Sequence, residues 1–265
     1  MACSFLAVLL ASVWLPGATG WPPVTVDPVA RAAPEAAAAE GSQGEATGRR
    51  YTARGLHFEV LFEGPADEFN ARRVVDRLER AYDRIGQRLG AYPADRITVV
   101  LYTLEQFRDE TQLPEWTIAA YDGRIHLPIR GAPQRPEQLD GVLTHELVHA
   151  VVASLGGRRV PTWLNEGLAT VLERGGADWA DAIVARTSPR PRLGDLHDGF
   201  LGLDGRQAQI AYATSAHAVG RLMRLRGAPA LVNVLQDLAR GTAFDAAFER
   251  HLAYRYEDFQ TSIAR

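Results

Sequence analysis

Lysine is absent from the 265-residue chain, so all 29 basic residues are arginine. Beside abundant alanine and glycine, this marks a bias of composition and carries no function by itself. Cysteine is nearly absent as well: the single one, Cys3, leaves no intrachain disulfide to staple the fold. Neither charge sign is in excess, because 29 basic residues face 32 acidic ones for a formal net charge of −3. That balance argues against the basic footprint of a nucleic-acid binder, and no arginine cluster points to a membrane surface. No internal repeat is visible, and no apolar run reaches the ~20 residues of a membrane-spanning helix. What remains, at 46% hydrophobic and 23% charged, is an ordinary soluble globular composition with one main domain.

The chain divides into three stretches. Residues 1–20, MACSFLAVLLASVWLPGATG, hold an apolar run from Phe5 to Leu15, a Pro-Gly break and a small-x-small ending at Ala18-Thr19-Gly20. This reads as a secretory signal, so the protein is expected to be exported to a periplasmic or extracellular space. Its first residues carry no Arg or Lys, and the alternative is an uncleaved membrane anchor through residues 5–15. Residues 21–50 are Pro, Ala, Gly, Glu and Ser with few large apolar side chains, a flexible linker that cannot bury enough surface to offset its ordering entropy. The folded domain is expected over 51–265.

Within it, Leu56 to Phe62 alternates as a strand, and Asp67 to Leu89 carries Phe69, Val74, Leu78, Tyr82, Ile85 and Leu89 at helical intervals. Ile97 to Tyr102 predicts a second strand and Leu104 to Glu110 a short helix. Thr117 to Tyr121 and Arg124 to Ile129 flank Asp122-Gly123 as a hairpin. Beyond residue 140 nearly every segment reads as helix, with a Pro- and Gly-broken loop at 188–200. The fold class is therefore α+β, a small N-terminal antiparallel or mixed sheet with helices followed by a mainly helical half.

The chemistry is concentrated in residues 140–169, DGVLTHELVHAVVASLGGRRVPTWLNEGLA. Residues four apart on a helix lie nearly above one another, so His145 and His149 can aim one nitrogen each at a common point. Glu146 stands roughly 100° round from His145. It is too far to complete the same grip, but close enough to act as a base on a water held there. Two imidazoles and a carboxylate on a helix lined by Val142, Leu143, Leu147, Val148, Val151 and Val152 would be costly to bury without partners, and a metal ion removes that cost. Catalytic zinc sites usually take three protein ligands and keep a position open for water. Glu166 is the candidate third ligand. Gly156-Gly157 can end the first helix, and Pro161 with Thr162 can open an antiparallel second one that carries Glu166 back to the histidines.

These residues also carry a resemblance. His145-Glu146-Leu147-Val148-His149, followed by Pro161-Thr162-Trp163-Leu164-Asn165-Glu166-Gly167-Leu168-Ala169, resembles the gluzincin metallopeptidases, and most closely their bacterial peptidase MA-like domains. Tyr212-Ala213-Thr214-Ser215 is similar to that group's Tyr-x-x-Ser stretch, and Gly241 to Phe248 to its Gly-x-x-Phe-x-x-Ala-Phe pattern. The resemblance implies a zincin-like fold and a zinc peptidase with one Zn2+ per chain. In it His145, His149 and Glu166 are ligands and Glu146 is the general base; a peptide or protein substrate is expected, but its identity does not carry over from the resemblance.

A donor beside the metal would stabilise the oxyanion, and Tyr212 is favoured for that role over His217. Asn165 or Thr170 is expected to steady the ligand carboxylate. His126 reads as a packed or surface histidine, and Asp195, His197 and Asp198 as a solvated group more than a second metal site. By analogy with zincins, Ala119 to Ile129 is expected to present a sheet edge to which a peptide can add. A different class of answer, a catalytically silent zinc-binding or partner-binding scaffold derived from a peptidase, is compatible with the same metal residues. The chain lacks a Gly-x-Met-Glu-Asn motif upstream of His145, which weakens an aminopeptidase reading.

Overall fold

The computed structural model describes residues 7–10, 50–113, 117–130, 136–200 and 202–265. The expected cleavage site at 18–20, Cys3 and the linker at 21–49 lie outside the described residues.

Alternation of apolar and polar residues builds the sheet. β3 (Phe58–Glu63) and β4 (Ile97–Leu101) bury every second side chain, Phe58, Val60 and Phe62 on one and Ile97, Val99 and Leu101 on the other. They run parallel, with Phe58 opposite Ile97 and Val60 opposite Val99. A parallel pair needs a crossover, and α1 (Glu68–Leu89) supplies it, pressing Val74, Leu78, Ile85 and Leu89 onto the buried face. Beside β4 lies β6 (Ile125–Leu127), also parallel, and β6 pairs antiparallel with β5 (Thr117–Tyr121) across the Asp122-Gly123 turn. The hairpin's second arm is shorter than its expected 124–129 because Pro128 has no N–H to extend the ladder.

With one further strand at each end these form a six-stranded mixed sheet, and two features of its rims depart from the sequence reading. Arg50–Arg54 is a strand, β2, paired antiparallel with β3 at one end of the sheet, in a segment to which the sequence reading assigned no element. In RYTAR, Tyr51 and Ala53 are half-buried against the core between exposed Arg50, Thr52 and Arg54, an alternation of only two apolar residues, and Leu56, placed in the first strand from sequence, instead sits 82% exposed in the turn after Arg54. At the other end, the hairpin does not present a free edge. β6 is an inner strand, and the outer side of β5 is paired with β1 (Ala7–Leu10), Val8 standing opposite Ala120. An unpaired row of N–H and C=O groups is a template for any extended apolar segment, and β1 comes from the apolar run at the N-terminus. A short helix, α2 (Leu104–Thr111), follows β4. It is opened by a capping box in which Thr103 and Gln106 satisfy each other's backbone N–H.

The second half is helical: α3 (Pro136–Gly156), α4 (Thr162–Arg174), α5 (Asp178–Val184), α6 (Gly205–Arg226), α7 (Ala228–Ala239), α8 (Phe244–Leu252) and α9 (Tyr256–Ala264). No helix among the described residues is long and apolar enough to cross a membrane. The middle of α3, residues 142–152, is buried on all sides, and the helix lies against α1, β5, α4 and α7. That explains an apolar pattern without a polar stripe. Its buried Leu and Val side chains, Leu143, Leu147 and Val148 among them, each stabilise the fold by about 1.5–3 kcal/mol.

The turn after α3 follows the sequence expectation. Gly157 adopts φ 65, a left-handed conformation that a side chain resists. Pro161 then opens α4, its carbonyl accepting from the N–H groups of Leu164 and Asn165 at 3.0 and 3.1 Å. α4 in turn packs on α6, and the approach is close. A Cβ on Gly167 would stand 2.5 Å from the Ser215 carbonyl oxygen and 2.6 Å from Val219 Cγ2. Small residues on α6, including Ala211, Ala216 and Ala218, are buried in the same region.

Gly167→Ala is therefore expected to lower unfolding free energy by about 1–3 kcal/mol, as overpacking does. Gly176→Ala, where a Cβ meets nothing within 4 Å, should leave it nearly unchanged. Paired denaturant titrations check the difference, and equal midpoints for the two variants would refute the close-packing account.

Candidate metal centre

His145 and His149 project from one side of α3 with their ring centroids 4.7 Å apart. α4 lies antiparallel to α3, since its first turn meets His149 and its last turn meets His145. Glu166, one turn into α4, faces the space between the two rings. Its Oε2 stands 3.5 Å from His145 Nε2 and 3.6 Å from His149 Nε2. Ligands held tetrahedrally at ~2.0–2.1 Å from zinc stand ~3.3–3.4 Å from one another, so these separations suit a small divalent ion. Among the described residues, this is the group of three whose ligand atoms all lie within 4.8 Å of each other. The group could hold a metal.

Hydrogen bonds on the far side of each ring set which nitrogen faces the centre. His145 Nδ1 donates to Glu173 Oε2 at 3.0 Å, and His149 Nδ1 donates to Asn165 Oδ1 at 3.0 Å. With Nδ1 donating outward in both, each Nε2 faces the centre, the nitrogen a metal would take in place of a proton. The three inward atoms, His145 Nε2, His149 Nε2 and Glu166 Oε2, are buried with no hydrogen-bond partner, and so are both carboxylate oxygens of Glu146. Five orphaned polar atoms in one place would be costly in an apolar interior. A cation with a water resolves all five, so the residues present fit such a group.

The electrostatics agree with that fit. Burial lowers the basicity of His145, but hydrogen bonds and charge from Glu166 and Glu173 outweigh it and hold the group up at about 10. His145 Nε2 thus lies in a field that attracts a positive charge. Burial dominates at His149, pushing it down to about 4 despite Glu166, so its lone pair stays available. Glu146 is fully buried on α3, and burial raises its carboxyl to about 8. The His145 charge opposes that rise, and Glu166 and Glu173 add to it.

Tyr212 reaches the same place from α6. Its phenol hydrogen-bonds to Glu166, and burial, then the charges of Glu166, Glu146 and Glu173, hold it well above its usual range. The five residues singled out in the sequence, His145, Glu146, His149, Glu166 and Tyr212, are therefore brought together.

Other expectations are corrected. Asn165 holds a histidine and not the ligand carboxylate, while Thr170 Oγ1 is buried without a partner, so neither steadies Glu166. Glu173 was missed, although the signal was present. It lies seven positions after Glu166, two helical turns on the same face, with a side chain long enough to reach His145. His217 points away from the centre, its Nδ1 bonded to Asp181 Oδ1 on α5 at 2.7 Å. His126 is a packed histidine held between Tyr102 and Asp122. His197 rests edge-on against Phe244 and forms no cluster with Asp195 and Asp198.

No protein-family model matches the chain, and no curated protein matches it in sequence. Among solved structures, that of yeast LTA4 hydrolase in complex with bestatin is similar, with a TM-score of 0.47 and 15% identity. The alignment covers 82% of this chain and 37% of that one, so the chain spans little more than a third of that protein's length.

Glu173→Gln keeps the size of the side chain and weakens its pull on His145. It is expected to reduce zinc affinity by about 10–100-fold, measured by competition against a chelating dye. Unchanged affinity would show that the buried carboxylate does not orient the ligand.

Proposed function

We propose that the chain is an exported zinc-dependent peptidase that hydrolyses peptide bonds with Glu146 as general base. The observation that carries this reading is the convergence of five unpartnered buried polar atoms from His145, Glu146, His149 and Glu166. All five belong to four ionisable side chains that are expensive to bury, and a structural core has no use for them. His145, His149 and Glu166 would hold the ion, and the separations among their ligand atoms support zinc. Zinc held by these ligands supplies Lewis acidity, polarising a carbonyl and lowering the pKa of a water toward ~7.

The chain's own residues do the rest. Glu173 and Asn165 fix the two imidazoles in one tautomer, so both lone pairs converge without a reorganisation step. Glu146 lies one position after His145, beside the ligands but outside their grip. It takes a proton from the attacking water and returns it to the leaving amine. Tyr212 holds a phenolic hydrogen at Glu166, within the site, and donates it to the oxygen on which negative charge develops. Residues 1–20 are the proposed export signal, and their removal would take β1 away and leave the outer side of β5 open.

The test separates metal binding from chemistry. Glu146→Gln should retain about one zinc per chain by elemental analysis while hydrolysis of a diverse peptide library falls by about 10²–10⁴-fold, the usual contribution of a general base. Glu166→Ala should lose the zinc itself. A Glu146→Gln protein that cleaves as fast as the parent would refute the assignment.

A further inference from the structure

The segment between α4 and α6 is tied to both helices that bear on the centre. The backbone N–H of Thr162, at the start of α4, donates to the His197 carbonyl at 2.9 Å. At the other end, Asp204 and Gln207 form a capping box that opens α6. Between these anchors lies Phe200, buried at 8% exposure, with its carbonyl accepting from the Leu203 N–H at 3.1 Å. Its ring meets that of Tyr212 at a centroid distance of 5.1 Å and an interplanar angle of 83°, an edge-to-face contact. Tyr212 is the aromatic whose phenol reaches Glu166, and a long side chain whose tip must be placed accurately benefits from a fixed ring.

We infer that Phe200 is a positioning residue for Tyr212, gripping the phenol ring so that its hydroxyl is held at the metal-ligand carboxylate. The inference rests on the proposed role of Tyr212. A phenol that serves an oxyanion must stay within hydrogen-bond reach of it, and a displacement of ~1 Å at a reacting group can cost ~10²-fold in rate. Phe200 meets the site through the Tyr212 ring, so its effect should pass through Tyr212. The loop carries the grip because its ends are bound to the two helices whose relative placement the hydroxyl must match.

Phe200→Leu preserves apolar volume but removes the ring edge. In the zinc-loaded full chain it is expected to lower kcat by about 10-fold on a fluorogenic peptide, with KM and zinc content unchanged. On a Tyr212→Phe background, which itself should lose about 10²-fold, it should add nothing. If Phe200→Leu leaves kcat intact, or its loss multiplies with that of Tyr212→Phe, Phe200 does not act through Tyr212. An unaffected Tyr212→Phe would instead remove the role proposed for the phenol. A readout independent of turnover is the NMR signal of the Tyr212 ring, assigned by its disappearance in Tyr212→Phe. Its two edges should be distinct in the parent and averaged by ring flipping in Phe200→Leu, and identical flipping in both proteins would overturn the inference.

Discussion

The antiparallel pairing of α3 and α4 is the constraint on which the site depends. Neither helix alone places three ligand atoms near one point, because the three come from two backbones. The register between them is held by two hydrogen bonds of opposite ends, His149 to Asn165 at the start of α4 and His145 to Glu173 near its finish. Sliding α4 by one turn would break both together and carry Glu166 ~5.4 Å from the imidazoles. The same two bonds that set the register also set the tautomers, so geometry and ligand basicity are controlled by one pair of contacts.

This pairing is buried on every side. α1 and the sheet lie against α3, and α6 lies against α4. Arg84, on α1, donates to Thr144 Oγ1 at 3.0 Å, one residue from His145, while Gly167 admits the α6 backbone one residue from Glu166. Support therefore reaches the residues next to the ligands and leaves the ligands' inward atoms free. A rigid frame of this kind lowers the reorganisation needed when charge develops at the centre. The frame also explains where polar groups go in an apolar interior. Around the centre they are paired on their outward sides and left open on the inward ones.

The C-terminal helices contribute more remotely. Trp163, fully buried two residues before Asn165, packs at right angles to Phe244 and parallel to Tyr256. An aromatic group from α8 and α9 thus anchors the first turn of α4. At α7, Asp237 gathers Arg240, Arg250 and His251 around a single carboxylate, and the side-chain hydrogen bond from His251, then Arg250, holds that carboxylate below its usual range. These groups secure the helical half but lie outside the chemistry.

Much was legible in the sequence because its physics is local. The period of four between His145 and His149, the glycine turn, Pro161 at the head of α4 and the alternation in Phe58–Glu63 follow from residues a few positions apart, and the elements formed close to where they were expected. Contacts made across the fold were not legible. Arg50–Arg54 has only Tyr51 and Ala53 to alternate with its polar residues, too weak a signal by itself, and became a strand because β3 offered it a row of backbone partners. The hairpin's outer edge was covered by a segment more than one hundred residues away in sequence. Asn165, Thr170 and Glu173 are all polar residues on one helix, and only the rotation of α4 against α3 decides which meets a histidine. The sequence by itself determined which side chains could hold an ion and which helices would carry them. The tertiary structure decided what lies behind each ligand, because those partners depend on the angle and register of packed helices, to which neighbours in the chain do not contribute.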